Sequence, residues 1–182
     1  MLLTTKDLER FQSQIPDYPM ELVDGEIIIM SPSGLESEEV ATEIARLLGN
    51  WVRPRKLGRV LGSSAGFILP NEKEDVRAPD ASFVRADRLK RTTQDYAKVV
   101  PDLTFEVKSK SDSLEKLRQK IQTFLELGTQ VGVLVDPRTR TIEVYRLGQE
   151  LTLLHDGDVL TVPEVLAGWE LIVSEIWAPE FD

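Results

Sequence analysis

Residues 101–110 read Pro-Asp-Leu-Thr-Phe-Glu-Val-Lys-Ser-Lys, and the rest of the chain is read outward from them. Side chains alternate along an extended strand, so Leu103, Phe105 and Val107 share one face while Thr104, Glu106 and Lys108 share the other. One face is apolar and the other carries charge. An acid and a lysine two positions apart on one side of a strand lie roughly 7 Å from each other, close enough to share one metal-bound water. A chain with 31 acidic and 22 basic residues also makes this spacing by accident. The flanking sequence has to decide between chemistry and a solvent-facing ion pair.

At 182 residues the chain is most simply one domain, 1–182, long enough to bury a core without staples. It has no cysteine, which removes disulfides, thiolate zinc sites and cysteine nucleophiles. Its one histidine, His155, sits in the turn-like HDGD, so a histidine-rich metal site is excluded and any bound ion takes oxygen ligands. No stretch approaches the ~20 apolar residues of a membrane span and no signal-peptide core opens the chain, so the expected location is cytoplasmic, with no membrane contact. A net charge of −9 argues against nonspecific coating of nucleic acid. Two basic runs oppose that average, RPRKLGR at 53–59 and RADRLKR at 85–91. If they flank one groove, Arg55, Lys56, Arg88 and Arg91 are the expected phosphate contacts.

Residues 4–13 are expected to form a short helix with a Thr4/Asp7 capping box. ELVDGEIIIMSP reads as a hairpin about Asp24-Gly25. Ser33 and Glu36 have capping-box spacing ahead of a helix whose stripe is Val40, Ile44, Leu47, Leu48 and Trp51. Glu43 and Glu36 lie at the edge of that stripe; Glu38 and Glu39 read as solvated. VLGSSAGFIL gives two strand arms, NEKEDVR a polar loop, and Pro79–Val84 a strand on which Asp80 and Ser82 share a face. RADRLKRTTQDYAKVV reads as a linker helix. Asp112 and Glu115 frame the cap of a helix with the stripe Leu114, Leu117, Ile121 and Phe124, Lys120 at its flank and Gly128 at its end. GVLV at 132–135 is a buried strand, so the Glu106 strand, this helix and the Val133 strand make a right-handed parallel β-α-β unit. TIEVYRL and ELTLL add strands, and the tail from Pro163 to Trp177 a short helix and a last strand. All of these feed one mixed sheet.

Taken in order, MELVDGEIIIMSPSG, ATEIARLL, LGSSAGFILP, RAPDASFV, PDLTFEVKSKSDS, KIQTFLELG, VLVDPRTRTIEVYRLG and the terminal EIW cover nearly the whole chain. In these blocks the sequence resembles the PD-(D/E)XK nuclease superfamily, and within it a bacterial family of restriction-endonuclease-like proteins of unknown substrate. The resemblance implies an α/β fold with a mixed sheet core flanked by helices, an N-terminal hairpin and C-terminal strands. It implies that Asp80 is the motif aspartate, Glu106 the second acid, Lys108 the lysine and Glu43 the helix glutamate. Lys120 matches a further lysine in the helix after the core strand. Some relatives carry a histidine before the first core helix, where this chain has SGLES.

The activity so implied is Mg²⁺-dependent hydrolysis of nucleic acid, most simply DNA, by a homodimer, with Mn²⁺ as a substitute ion. Mg²⁺ prefers oxygen, so Asp80, Glu106 and the Val107 carbonyl suffice to hold it, with Glu43 completing the shell or anchoring a second ion. Lys108, on the strand face of Glu106, is expected nearer the attacking water than Lys120. Asp102 shares the face of Glu106 but lies roughly 13 Å along the strand, too far to bind the same ion. Two other classes stand beside this one: a silent nucleic-acid- or partner-binding module on the same fold, and a structural sheet in which Glu106 and Lys108 are merely paired.

Overall fold

The computed structural model describes residues 2–181. Helix α1 (Thr5–Gln14) opens on the expected capping box, in which the Asp7 amide donates to Thr4 Oγ1 and the Thr4 amide donates to the Asp7 carboxylate at 2.9 Å. Strands β1 (Met20–Val23) and β2 (Glu26–Ile29) form the hairpin, with positive φ at both Asp24 (54°) and Gly25 (78°), as a type I′ turn requires. Helix α2 (Leu35–Val52) starts from Gly34 rather than Ser33; no side chain caps it, and the Ser37 hydroxyl donates to the Gly34 carbonyl. Strands β3 (Gly58–Gly62) and β4 (Phe67–Ile68) flank the irregular SSAG segment, and β5 (Val76–Arg77) emerges where the sequence reads as loop. Strands β6 (Ala81–Arg85) and β7 (Leu103–Val107) follow. Helix α3 (Leu114–Glu126) is capped by Ser113, because Asp112 spends its carboxylate on the amide and hydroxyl of Ser109. Strands β8 (Val131–Asp136), β9 (Thr141–Tyr145), β10 (Thr152–Leu154), β11 (Val159–Thr161) and β12 (Glu170–Ile172) complete the chain with a 3-10 turn, Val173–Glu175.

The strands of the described residues make three sheets, not one. The large mixed sheet runs β10-β9-β8-β7-β6-β3, with the parallel β7-α3-β8 unit at its centre. The hairpin instead joins β5 and β4 in a four-stranded antiparallel sheet, which closes its own core of Leu22, Val76 and Met20 against Leu8 of α1. Strands β11 and β12 pair with each other, and residues 163–168 form turns where a short helix was expected. Residues 86–100 contain no helix either. They lack an apolar stripe, and their main chain is committed elsewhere: the carbonyls of Leu89 and Lys90 accept from Arg59, and Ala97 bonds to Gly66 and Ile68. No helix among the described residues is long and apolar enough to cross a membrane.

The two long helices cover opposite faces of the large sheet. Val40, Ile44 and Leu48 of α2 share a core with Leu103, Phe105 and Val107, whereas Ile121 and Leu125 of α3 pack on Leu134. Alternation then turns Thr104 and Glu106 toward α3. Gly132 of β8 permits the close seat of that helix, since a Cβ there would lie 2.4 Å from Cγ2 of Ile121.

Candidate active site

The site forms where β6 begins and β7 ends, beneath α3. Ala81 lies opposite Phe105 in the antiparallel β6–β7 register, so one further step sets Asp80 across from Glu106. The Val107 amide donates to Asp80 Oδ2 at 2.6 Å and fixes that carboxylate at the strand end. Glu106 is 2% exposed. Its Oε2 accepts from Lys120 Nζ at 3.0 Å, while its Oε1 is buried without a hydrogen-bond partner.

Lys120 projects from the sheet-facing side of α3 and is 7% exposed. Its ammonium donates to the Ala78 carbonyl at 2.8 Å as well as to Glu106, and it lies 3.2 Å from Glu21 Oε1. Three acceptors thus surround a group with three protons. Glu21, 4% exposed, comes from β1 in the other sheet. Its neighbours Met20 and Leu22 enter the smaller core, so Glu21 points back toward the large sheet, where it accepts from the Ala78 amide at 2.7 Å and from Arg77 Nε at 3.0 Å.

Burial pushes the Glu106 carboxyl up to about 8; Lys120 opposes that rise, and the charges of Asp80 and Glu21 add to it. Burial also raises Asp80, against the pull of Lys120 and the Val107 amide. Burial works the same way on Glu21, but Lys120, Arg77 and the Ala78 amide outweigh it and hold Glu21 below the usual range. Burial pulls Lys120 down, yet Glu106 and Glu21 outweigh it and keep the ammonium above its ordinary value.

The structure therefore brings together Asp80, Glu106 and Lys120, with the Val107 main chain beside them. It does not bring Lys108 to Glu106: the Lys108 ammonium donates to the Ser109 carbonyl at 3.1 Å. Nor does it bring Glu43. That carboxylate is held by Arg46 on α2, which covers the Leu103, Phe105 and Val107 face of the sheet, the side away from Glu106. The Asp80 carboxyl is raised further by the charge of Asp112 and, less, by that of Glu38 near the start of α2. Asp102 is fully buried and committed to the Arg85 amide at 2.8 Å and Arg88 at 2.7 Å. The sequence reading missed Glu21. Its signal was present, an acid between the strand residues Met20 and Leu22, but on a hairpin such a residue reads as the solvent face.

An oxygen-preferring ion fits these residues, because Glu106 offers a buried oxygen that nothing else uses and Asp80 stands opposite. Among the described residues no three His, Cys, Asp or Glu side chains are grouped to hold an ion. The fit is thus to an ion that takes two carboxylates and completes its shell with main-chain oxygen and water. A cleft of about 1100 Å³ beside β3 is lined by Arg53, Arg59 and Tyr96 but by none of these site residues. Buried charge marks the site better than volume does.

A family model described as Uma2, putative restriction endonuclease, matches residues 6–174. Among solved structures, the crystal structure of a putative nuclease of DUF820 from Anabaena variabilis aligns with a TM-score of 0.76 at 23% identity, covering 86% of this chain and 88% of that one. At this identity the likeness shows the fold. A cryo-EM structure of a DrdV–DNA complex aligns at a TM-score of 0.38 and 13% identity over 77% of this chain and 14% of that one, too remote to show a shared architecture. No curated protein matches the chain.

Proposed function

This chain belongs to the Uma2 family of putative restriction endonucleases, and from that premise we propose that it is a Mg²⁺-dependent endonuclease that hydrolyses DNA phosphodiester bonds at Asp80, Glu106 and Lys120. One observation carries the reading: Glu106 keeps a buried, unpartnered oxygen beside a second carboxylate and a buried ammonium. Such an arrangement is costly to maintain unless a proton or a cation takes that oxygen.

Asp80, Glu106 and the Val107 carbonyl would hold Mg²⁺, or Mn²⁺ in its place. The ion, when bound, supplies Lewis-acid polarisation of the phosphate and acidifies water. The chain's own part is positional and electrostatic. The Val107 amide aims Asp80, Lys120 aims Glu106, and the Lys120 ammonium sets a fixed positive charge beside the phosphate as charge develops on it. Lys108, partly exposed at the rim, is available to a phosphate oxygen once it leaves the Ser109 carbonyl. Cutting both strands of a duplex calls for two such sites, so the working assembly in this reading is a homodimer.

A second reading, a silent binding module, draws support from the lack of a three-side-chain ion cage among the described residues. Plasmid and single-stranded DNA incubated with Mg²⁺, with Mn²⁺ and with chelator separate the two. The endonuclease nicks in the first two conditions and not in the third, and the Asp80→Asn variant fails in all. Nicking that persists in chelator or in Asp80→Asn would sink the assignment. DNA retention without any cleavage favours the module.

A further inference from the structure

Five ionisable side chains meet where the two large sheets join: Glu21, Asp80, Glu106, Lys120 and Arg77. In their ionised forms three carboxylates face two cations, which leaves one negative charge. Without Glu21 the group is neutral, and Lys120 and Arg77 lose the acid they share. Glu21 is well placed to hold both, since Arg77 lies 3.0 Å from its Oε2 and Lys120 lies 3.2 Å from its Oε1. Glu21 is not needed for packing, because Met20 and Leu22 alone enter the core beneath β1.

We propose that Glu21 is a positioning residue that occupies the site's own cations, so that Asp80 and Glu106 stay net anionic toward a divalent ion. The inference rests on the reading that those two carboxylates hold the ion. Glu21 acts on Lys120 and Arg77 and is not itself a ligand.

Calorimetric titration of the metal-free protein with Mn²⁺, at fixed pH and ionic strength, tests it without reference to turnover. Glu21→Gln should weaken binding about tenfold or more, the scale of loss when a residue supporting the ligands is removed. Glu21→Asp, which keeps the charge, should retain most of the affinity. Arg77→Gln removes an opposing cation and should bind Mn²⁺ several-fold more tightly than the wild type, a gain that structural damage does not produce. The double variant Glu21→Gln/Arg77→Gln should return toward wild-type affinity. Unchanged binding in Glu21→Gln, or weakened binding in Arg77→Gln, overturns the inference while leaving the metal reading intact. If Glu21→Gln does not fold, the Arg77→Gln result decides alone. A wild-type protein that binds no Mn²⁺, or a Glu106→Gln variant that binds it normally, overturns the metal reading and this inference with it.

Discussion

At the scale of single residues, the two lysines differ in what surrounds them. Lys120 is enclosed by Glu106, Glu21 and the Ala78 carbonyl, whereas the half-buried Lys108 donates to the Ser109 carbonyl. Loss of a fixed electrostatic group costs about 100-fold or more in rate, and removal of one partner of a buried ion pair costs about 3–5 kcal/mol of stability. Lys120→Ala should show both losses, while Lys108→Ala should keep its stability and lose less than about tenfold in rate, an ordinary surface contribution. Single-turnover cleavage at saturating Mg²⁺ and urea unfolding measure the two; an intact Lys120→Ala rate beside a dead Lys108→Ala enzyme reverses the assignment. Glu106 supplies a pH test. In the folded, ion-free chain it holds its proton up to about pH 8, and in the unfolded chain it releases it near 4.5. Its contribution to stability is therefore full below 4.5 and is lost as pH rises through 8. In chelator, the melting temperature of the wild type relative to Glu106→Gln should fall between pH 6 and pH 8.5, and a flat or rising difference contradicts the buried, protonated carboxyl. Asp80 and Glu106 were legible in the sequence because one immediately precedes, and the other stands on, a strand with apolar alternate positions. Lys120 and Glu21 were less so, since helical periodicity put Lys120 only at the edge of a stripe and nothing in the hairpin pattern singled out Glu21.

At the scale of elements, α3 is the part that completes the site, and its distance from the sheet is set at one position. Gly132 lies beneath Ile121, the residue next to Lys120. A methyl added there meets the Cγ2 branch of Ile121, which cannot swing away as the end of a long side chain does, so the helix must lift. Gly132→Ala should cost about 1–3 kcal/mol, the usual range for overpacking. It should also lower turnover by shifting Lys120 from Glu106. Urea unfolding and single-turnover rates on the one variant check both; full activity at reduced stability would mean that the ammonium does not need its present seat. The parallel β7-α3-β8 unit was readable because a continuous apolar run, a capped amphipathic helix and a terminal glycine occur in sequence order. The four-stranded sheet was not. Strands β4 and β5 have two residues each, and their pairing, Phe67 with Arg77 and Ile68 with Val76, leaves no period to detect. The caps lie one residue beyond Ser33 and Asp112 because no side chain caps α2 and the Asp112 carboxylate is taken by Ser109.

At the scale of the molecule, the proposed action on DNA would set a net charge of −9 against a polyanion. The two basic runs lie together at one end of the β3–β6 pair. Gly58 lies opposite Arg85 at that end and Gly62 opposite Ala81 at the other, next to Asp80. The ends are four residue steps apart, about 13 Å, which is longer than the Debye length of about 8 Å at physiological salt. The basic end therefore acts locally, whatever the total charge. Phosphates recur about every 3.4 Å along one strand of a duplex, so the basic end would grip the backbone about four phosphates from the bond at Asp80. Not every cation there is free. Arg88 and Arg85 brace Asp102, Arg59 holds the Leu89 and Lys90 carbonyls, and Arg55 stacks on Trp51. Arg55 and Arg88 are thus engaged within the chain, while Arg53, Lys56, Lys90 and Arg91 are exposed and are the cations varied together. Each neutralised phosphate contributes about 0.9 to the slope of log affinity against log salt. Replacing these four by glutamine should lower the slope by roughly three to four, and replacing Arg88 alone should leave the slope near its original value while destabilising the fold, because buried Asp102 loses a compensating cation. Fluorescence titrations of a labelled duplex at several salt concentrations, in chelator to prevent cleavage, give the slopes directly; a fourfold variant with the wild-type slope would mean that DNA does not reach this end of the sheet.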